Sequence, residues 1–253
     1  MPRFTRMTSK LTGLLLPTIM AFQAQAYDLE IHGSNTVGAT LAPMLVTGYL
    51  EEHGGGQVTS GGTGVENEKV LRAPLNNRAT EVLVAAHGSS TGFKALAAGK
   101  ANIWASSRPV KPQEAEQFRA RADLNAPESE HVIAIDGLAI LVHPSNPVSK
   151  MSIETLGRVF SGQIRNWSEL GGPDRPIQLY ARDDRSGTWD TFKSLVLGKE
   201  FELDNTARRY ESNDQLSDDV SRDPSGIGFS GLASVRDSKL LAISEGSRRS
   251  PPA

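Results

Sequence analysis

The chain has 253 residues, with 27 Lys and Arg against 29 Asp and Glu, a formal net charge of −2. Apolar residues (AVILMFWYC) make up 38% and charged residues 22%, which excludes a wholly disordered chain, a coiled coil and a polytopic membrane protein. The slight acidity argues against nucleic-acid binding, which needs a basic face, and the length suits one large or two modest α/β domains.

Residues 1–26 read as a secretory leader. Arg3, Arg6 and Lys10 precede the apolar run Leu11–Phe22, and Ala24-Gln25-Ala26 supplies a small-x-small cleavage pattern before Tyr27. The run is interrupted by Pro17 and falls short of the roughly 20 residues that span a bilayer. Export with cleavage delivers the mature chain to a periplasm-like space, with 24 basic against 29 acidic residues and a net charge of −5. There is no cysteine, so no disulfide framework, thiol chemistry, Cys zinc site or lipidated N-terminal Cys is available.

From Asp28 onward short β-like runs alternate with amphipathic helical patterns, which predicts an α/β fold with mainly parallel strands. Asp28–His32 reads as a strand. A helix carrying Leu41, Met44, Leu45 and Tyr49 follows and ends at Gly54-Gly55-Gly56. Residues 54–80, rich in Gly, Asn and charge, read as an irregular excursion or hairpin. Glu81–Ala86 is the next strand, Thr91–Ala98 a helix, Ala101–Ala105 a strand and Gln113–Ala122 a helix. The second block opens with a long β-like run, His131–His143. It continues with a helix from Ser152 to Phe160, a strand at Ile177–Ala181 and a helix from Thr188 to Leu197. Gly226–Ser230 and Leu240–Ile243 are late strands, and residues 246–253 have the composition of a tail or linker.

One small pattern occurs three times. Gly33-Ser34-Asn35-Thr36, Gly88-Ser89-Ser90-Thr91-Gly92 and Ser186-Gly187-Thr188 each follow a strand and open a helix, the last preceded by Arg182. Taken singly, each is an ordinary helix cap contributing about 1 kcal/mol. Together they suit an oxyanion: unpaired N–H groups at a helix start, glycine allowing close approach, and rotatable hydroxyl donors. Arg182 supplies one forked positive charge, unless its neighbours Asp183, Asp184 and Arg185 hold it in a surface ion-pair cluster.

In the segments 33–43, 87–110, 153–172, 181–192 and 226–231, taken in that order, the chain resembles the phosphate-type periplasmic solute-binding proteins of ABC transporters. The resemblance implies a two-lobed fold, each lobe a mixed, mainly parallel sheet flanked by helices, with the ligand cleft between lobes. Lobe one is expected to hold 27–136 with 228–245, and lobe two 137–227. It implies a monomer capturing inorganic phosphate or a similar tetrahedral oxyanion without catalysis or cofactor, for uptake through a transporter permease or for sensing. By motif position Ser34, Thr36 and Val37 donate from the first loop, Ser89 from the second, and Arg182, Ser186, Gly187 and Thr188 from the other lobe.

Two departures stand out. Relatives that select phosphate over sulfate commonly carry an Asp where this chain has Ser107. A carboxylate only accepts hydrogen bonds and so favours an anion that still bears a proton, whereas serine accepts or donates. Arg108 beside it reads equally as a further donor or a hinge-side surface residue. The chain also stops soon after Gly231, and Ser250-Pro251-Pro252-Ala253 is compatible with a linker into an OmpA-like domain, so an envelope adaptor is the alternative function. A serine hydrolase with Ser90 as nucleophile is a lesser one, because no histidine follows His143. The scattered histidines 32, 53, 87, 131 and 143 give no metal-ligand spacing, no P-loop sequence is present, and Asp214, Asp218 and Asp219 read as a solvated helical face.

Overall fold

A computed structural model describes residues 27–54 and 56–245; the expected leader over 1–26 and tail over 246–253 lie outside the described residues. Residues 27–118 build one sheet and its helices. β1 (Leu29–Gly33) leads into the single-turn α1 (Asn35–Gly38) and then α2 (Leu41–Gly54). β2 (Thr59–Gly62), β3 (Glu68–Leu75) and β4 (Arg78–Ala85) follow as an antiparallel meander. α3 (Ser89–Ala97), β5 (Ile103–Ala105) and α4 (Pro112–Phe118) complete the unit. The strand order is β2-β3-β4-β1-β5, with β1 parallel to both β4 and β5.

The stretch read as an irregular excursion or hairpin is therefore sheet. Asn76 and Asn77 turn β3 into β4 with φ of 53° and 61°, the left-handed pair that a tight two-residue hairpin needs and that Asn tolerates. Cross-strand pairing then sorts side chains by face. Leu71 opposite Val82 joins the core with Ile31 and Val84, whereas Val70 opposite Leu83 joins a smaller cluster on the other side.

The second unit opens with β6 (Leu138–Val142), β7 (Lys150–Ser152) and α5 (Ile153–Phe160). β8 (Gln178–Arg182) and α6 (Gly187–Phe192) follow, and the chain winds on through a π-helical turn at Lys193–Leu197. β9 (Arg208–Tyr210), α7 (Asn213–Arg222), β10 (Gly226–Gly231), β11 (Lys239–Leu240) and β12 (Ala242–Ser244) close it. The order of its main sheet is β11-β6-β10-β8-β9, with β10 parallel to β8 and antiparallel to β6; β12 pairs with β7 alone. Each main sheet is thus mixed and flanked by helices, as expected from the sequence, but with two parallel and two antiparallel pairings it is not mainly parallel. Among the described residues no helix is long and apolar enough to cross a membrane.

Two placements differ from the sequence reading. Residues 228–245 were expected to return to the first lobe, but β10 and β11 lie in the second sheet. All six residues of β10 are buried, so it needs a strand on either side, and β6 and β8 provide them. The long run His131–His143 is a strand only from Leu138. Val132, Ile133 and Ile135, part of a continuous apolar run rich in β-branched residues, lie exposed on the crossing between the two sheets. The composition carries β propensity, but among the described residues no strand pairs with it.

The second core is aromatic. Phe192 of α6 stacks on Phe229 of β10 with centroids 3.9 Å apart and rings 7° from parallel, Phe160 of α5 packs edge-on to both, and Trp167 is fully buried. Ser152 caps α5 by accepting from Thr155 N at 3.1 Å, which fixes the helix that carries Phe160. Phe229→Ala is expected to lower unfolding stability by about 3–5 kcal/mol in a urea titration, because the stack leaves a cavity that the sheet cannot close.

Candidate functional site

Four loops converge where the two sheets face each other, and each is placed by a strand end. At the end of β1, Gly33 has a φ of 140°, and a Cβ there would lie 2.0 Å from Ala105 O; no side chain fits. This close approach lets Ser34 N donate to Ala105 O and binds the first loop to β5. Ser34, 1% exposed, caps α1 by accepting from Val37 N at 3.4 Å, a long bond that leaves the amide weakly held. Thr36 reaches across and sets its hydroxyl 3.1 Å from that of Thr188.

The second loop follows β4. Gly88 N donates to Gly33 O, and Ser89, wholly buried, accepts from Ser107 N at 3.2 Å; the two serine hydroxyls lie 3.4 Å apart. Trp104 donates its indole N–H to Ser89 O at 2.7 Å, so this tryptophan steadies the loop from behind. The third segment carries Ser107 itself. The fourth follows β8: Ser186 caps α6 by accepting from Trp189 N, and Gly187 faces the serine pair so closely that a Cβ would stand 2.4 Å from Ser89 Oγ and 2.6 Å from Ser107 Oγ.

The structure thus brings Ser34, Thr36, Val37, Ser89, Ser107, Ser186, Gly187 and Thr188 to one junction. Arg182, 1% exposed, stands one residue further back. It donates to Tyr210 O, to Glu211 O at 2.5 Å and to Asn213 Oδ1. All three acceptors are neutral, and among the described residues no carboxylate pairs with it. Burial pushes its pKa down to about 10, and the opposing charges of Asp183 and Glu211 do not offset it. The sequence reading tied Arg182 to the neighbouring Asp183-Asp184-Arg185 as its alternative; those residues instead pair among themselves, with Arg209 and with Glu211.

The residue linking Arg182 to the loops is Asn213, which sequence reasoning missed. Its backbone N donates to Asn35 Oδ1 at 3.0 Å and its side chain to Thr36 Oγ1 at 3.0 Å. The available signal was Ser212-Asn213-Asp214, a cap cluster opening α7. Asp218 and Asp219 on that helix are not solely solvated: Arg236 donates to Asp218, and Tyr210 Oη donates to Asp219 at 2.6 Å. Arg108 joins no hydroxyl pair of the junction. Its side chain, 4% exposed, forks onto Glu114 at 2.7 and 2.8 Å and donates to Asp190 of the other unit at 2.7 Å.

A second bridge between the units is His87. Its Nδ1 lies 2.8 Å from Glu211 and its Nε2 3.0 Å from Glu68, while Asn67 and Arg185 also donate to Glu211. Carboxylates only accept, so satisfying both contacts requires the doubly protonated ring. Burial opposes that charge, but the hydrogen bonds to Glu211 and Glu68 outweigh it and hold the His87 pKa above 6.5. Among the described residues no group of three His, Cys, Asp or Glu side chains is placed to hold a metal ion.

The stabilisation from His87 is complete below its unfolded pKa of 6.5 and is lost as pH rises through its raised folded value. His87→Gln is therefore expected to melt lower than the parent at pH 6, and the gap is expected to shrink in melts taken at increasing pH.

Residues 47–250 match the model of the PBP superfamily domain. The chain is 31% identical over 178 residues to the phosphate-binding protein PstS of Borreliella burgdorferi, covering 68% of this chain and 61% of that protein. It is 30% identical over 198 residues to PstS of Bacillus subtilis, covering 77% and 63%. The chain thus spans about three fifths of the length of these relatives. Among solved structures it superposes on an ABC-type phosphate transport receptor from Vibrio cholerae with a TM-score of 0.57 at 27% identity, covering 89% of this chain and 79% of that one. A substrate-binding protein with bound phosphate from Clostridium perfringens shares the fold, with a TM-score of 0.67 at 24% identity over 85% and 75%.

Proposed function

The chain belongs to the PBP superfamily, and on that premise we propose that it captures inorganic phosphate between its two lobes and presents it to an ABC-transporter permease from a periplasmic location, without catalysis. Lobe one corresponds to residues 27–136 and lobe two to 137–244, revised from the sequence reading by the seating of β10 and β11. The observation that carries the reading is the convergence of hydroxyls and loop amides from both sheets in front of a buried guanidinium that has only neutral partners. A buried cation without a counter-charge is costly, and an anion relieves that cost. The relatives named for phosphate binding and phosphate transport supply the ligand class.

The work of each part follows from its chemistry. Ser34, Thr36, Ser89, Ser107 and Thr188 offer hydroxyls that rotate to donate, and the loop amides of Val37 and Gly187 add fixed donors. Arg182 balances charge through Asn213 and by proximity. The Arg108–Asp190 and His87–Glu211 bridges hold the lobes together at the rim, which keeps water out and strengthens every contact inside. Ser90, the nucleophile of the hydrolase alternative, accepts from the Arg108 guanidinium at 3.3 Å, and among the described residues no histidine bonds to it as a general base would.

Calorimetric titration of the ligand-stripped full chain is expected to show saturable phosphate binding, and heats no larger than dilution would refute the reading. Gly187→Ala is expected to abolish binding, because its methyl group meets the Ser89–Ser107 pair and holds the lobes apart, and to lower the melting temperature as the Arg108–Asp190 and His87–Glu211 bridges are strained. Arg182→Ala combined with Thr188→Val is expected to weaken binding by about 100-fold or more, from the loss of a charge and a hydroxyl donor.

A further inference from the structure

A cleft of neutral donors and one guanidinium does not tell phosphate from sulfate, since both are tetrahedral dianions near neutral pH. Their difference is a proton: phosphate keeps one to donate and sulfate does not. Discrimination therefore needs an acceptor that cannot also donate, and Ser107, placed against Ser89, can do both. The carboxylates around the junction are mostly spoken for by cations. Asp183 and Glu211 hold Arg185, Asp184 holds Arg209, and Asp190 holds Arg108 and Lys111.

Asp136 is different. It lies on the crossing between the lobes, two residues before β6, and among the described residues no cation pairs with it. Its Oδ1 accepts from Gly137 N at 2.8 Å and, at 3.2 Å, from Leu232 N, which it shares with Gly137 O; the two backbone donors orient the carboxylate. Its Oδ2 has no hydrogen-bond partner among the described residues and is turned to Gly231. A Cβ on Gly231 would lie 2.7 Å from that oxygen and 3.4 Å from Thr36 Oγ1, so one glycine is flanked by the carboxylate and by the hydroxyl of the first loop. Gly231 N in turn donates to Asn213, the partner of Arg182, at 3.4 Å. The open oxygen of Asp136 therefore borders the same junction as the donors.

Resting on the phosphate reading above, we propose that Asp136 is the specificity-determining residue of the site: its Oδ2 accepts the proton of the bound phosphate and repels the proton-free sulfate. It takes over, from the crossing segment, the role that a carboxylate at position 107 plays in the relatives that have one.

The test is calorimetry of the full chain with phosphate, sulfate and monofluorophosphate, the last having the charge and shape of the monohydrogen ion without its proton. The parent is expected to bind phosphate well and the other two about 10- to 100-fold more weakly or not at all. In Asp136→Asn, which keeps the shape but presents a donor, that preference is expected to collapse toward equality. Asp136→Asn with Ser107→Asp is expected to regain it. Phosphate preference unchanged in Asp136→Asn, with a native melting profile, would overturn the proposal and leave phosphate capture standing. If Asp136→Asn does not fold, the parent decides: equal affinity for phosphate and monofluorophosphate excludes a proton-reading acceptor. A parent that binds none of the three removes the phosphate reading and the proposal with it.

Discussion

A guanidinium buried without a carboxylate is the constraint around which this protein is arranged. Arg182 sits at the end of β8, 1% exposed, with Tyr210 O, Glu211 O and Asn213 Oδ1 as its acceptors. Desolvating such a charge is expensive, and three neutral acceptors offset only part of the cost. They do, however, hold the fork in place, since all three come from residues 210–213, which run from the last residue of β9 to the first of α7. The result is a buried positive charge, in a protein of slight negative charge overall, near the place where the two units meet.

The loops in front of Arg182 are shaped by close backbone approaches. Gly33 against Ala105 O, Gly88 against Arg185 O and Gly187 against the Ser89–Ser107 pair are positions where a single methyl group would collide. Each joins parts that different strands deliver, and two of the three join the first unit to the second. Hydroxyls and amides are brought together by the absence of side chains as much as by their presence. The same logic holds at Gly231, which lets Thr36 and Asp136 approach one point.

Polar bridges, more than apolar burial, join the two units. Arg108–Asp190, His87–Glu211 and Asn213–Asn35 cross between them, whereas the main apolar clusters stay within one unit each. Hydrogen-bonded bridges of this kind form and release without exposing a core, which suits two bodies that separate and close on a ligand. The aromatic stack of Phe160, Phe192 and Phe229 keeps the second body stiff, so that α6 and its Ser186-Gly187-Thr188 start move with β8 and β10.

Much of this was legible in the sequence because it depends on local chemistry. The strand–loop–helix pattern at Ser34, Ser89 and Ser186 marked the loops, the alternation of strands and helices marked the fold class, and the glycines marked where the chain had to pass close. What escaped was set by pairing at a distance. The run 131–137 has strand composition but no partner strand, whereas 226–231 belongs to the second sheet because β6 and β8 flank it there. Asn213 and Asp136 carried no motif, since a lone Asn or Asp takes its meaning from what stands opposite. The sequence by itself determined which segments carry the hydroxyls, the glycines and the one arginine of the candidate site. Only the tertiary structure decided that Arg182 reaches the loops through Asn213, that Arg108 is tied up in ion pairs, and that Asp136 faces the junction. Those outcomes turn on contacts between residues far apart in the chain, and no local pattern records them.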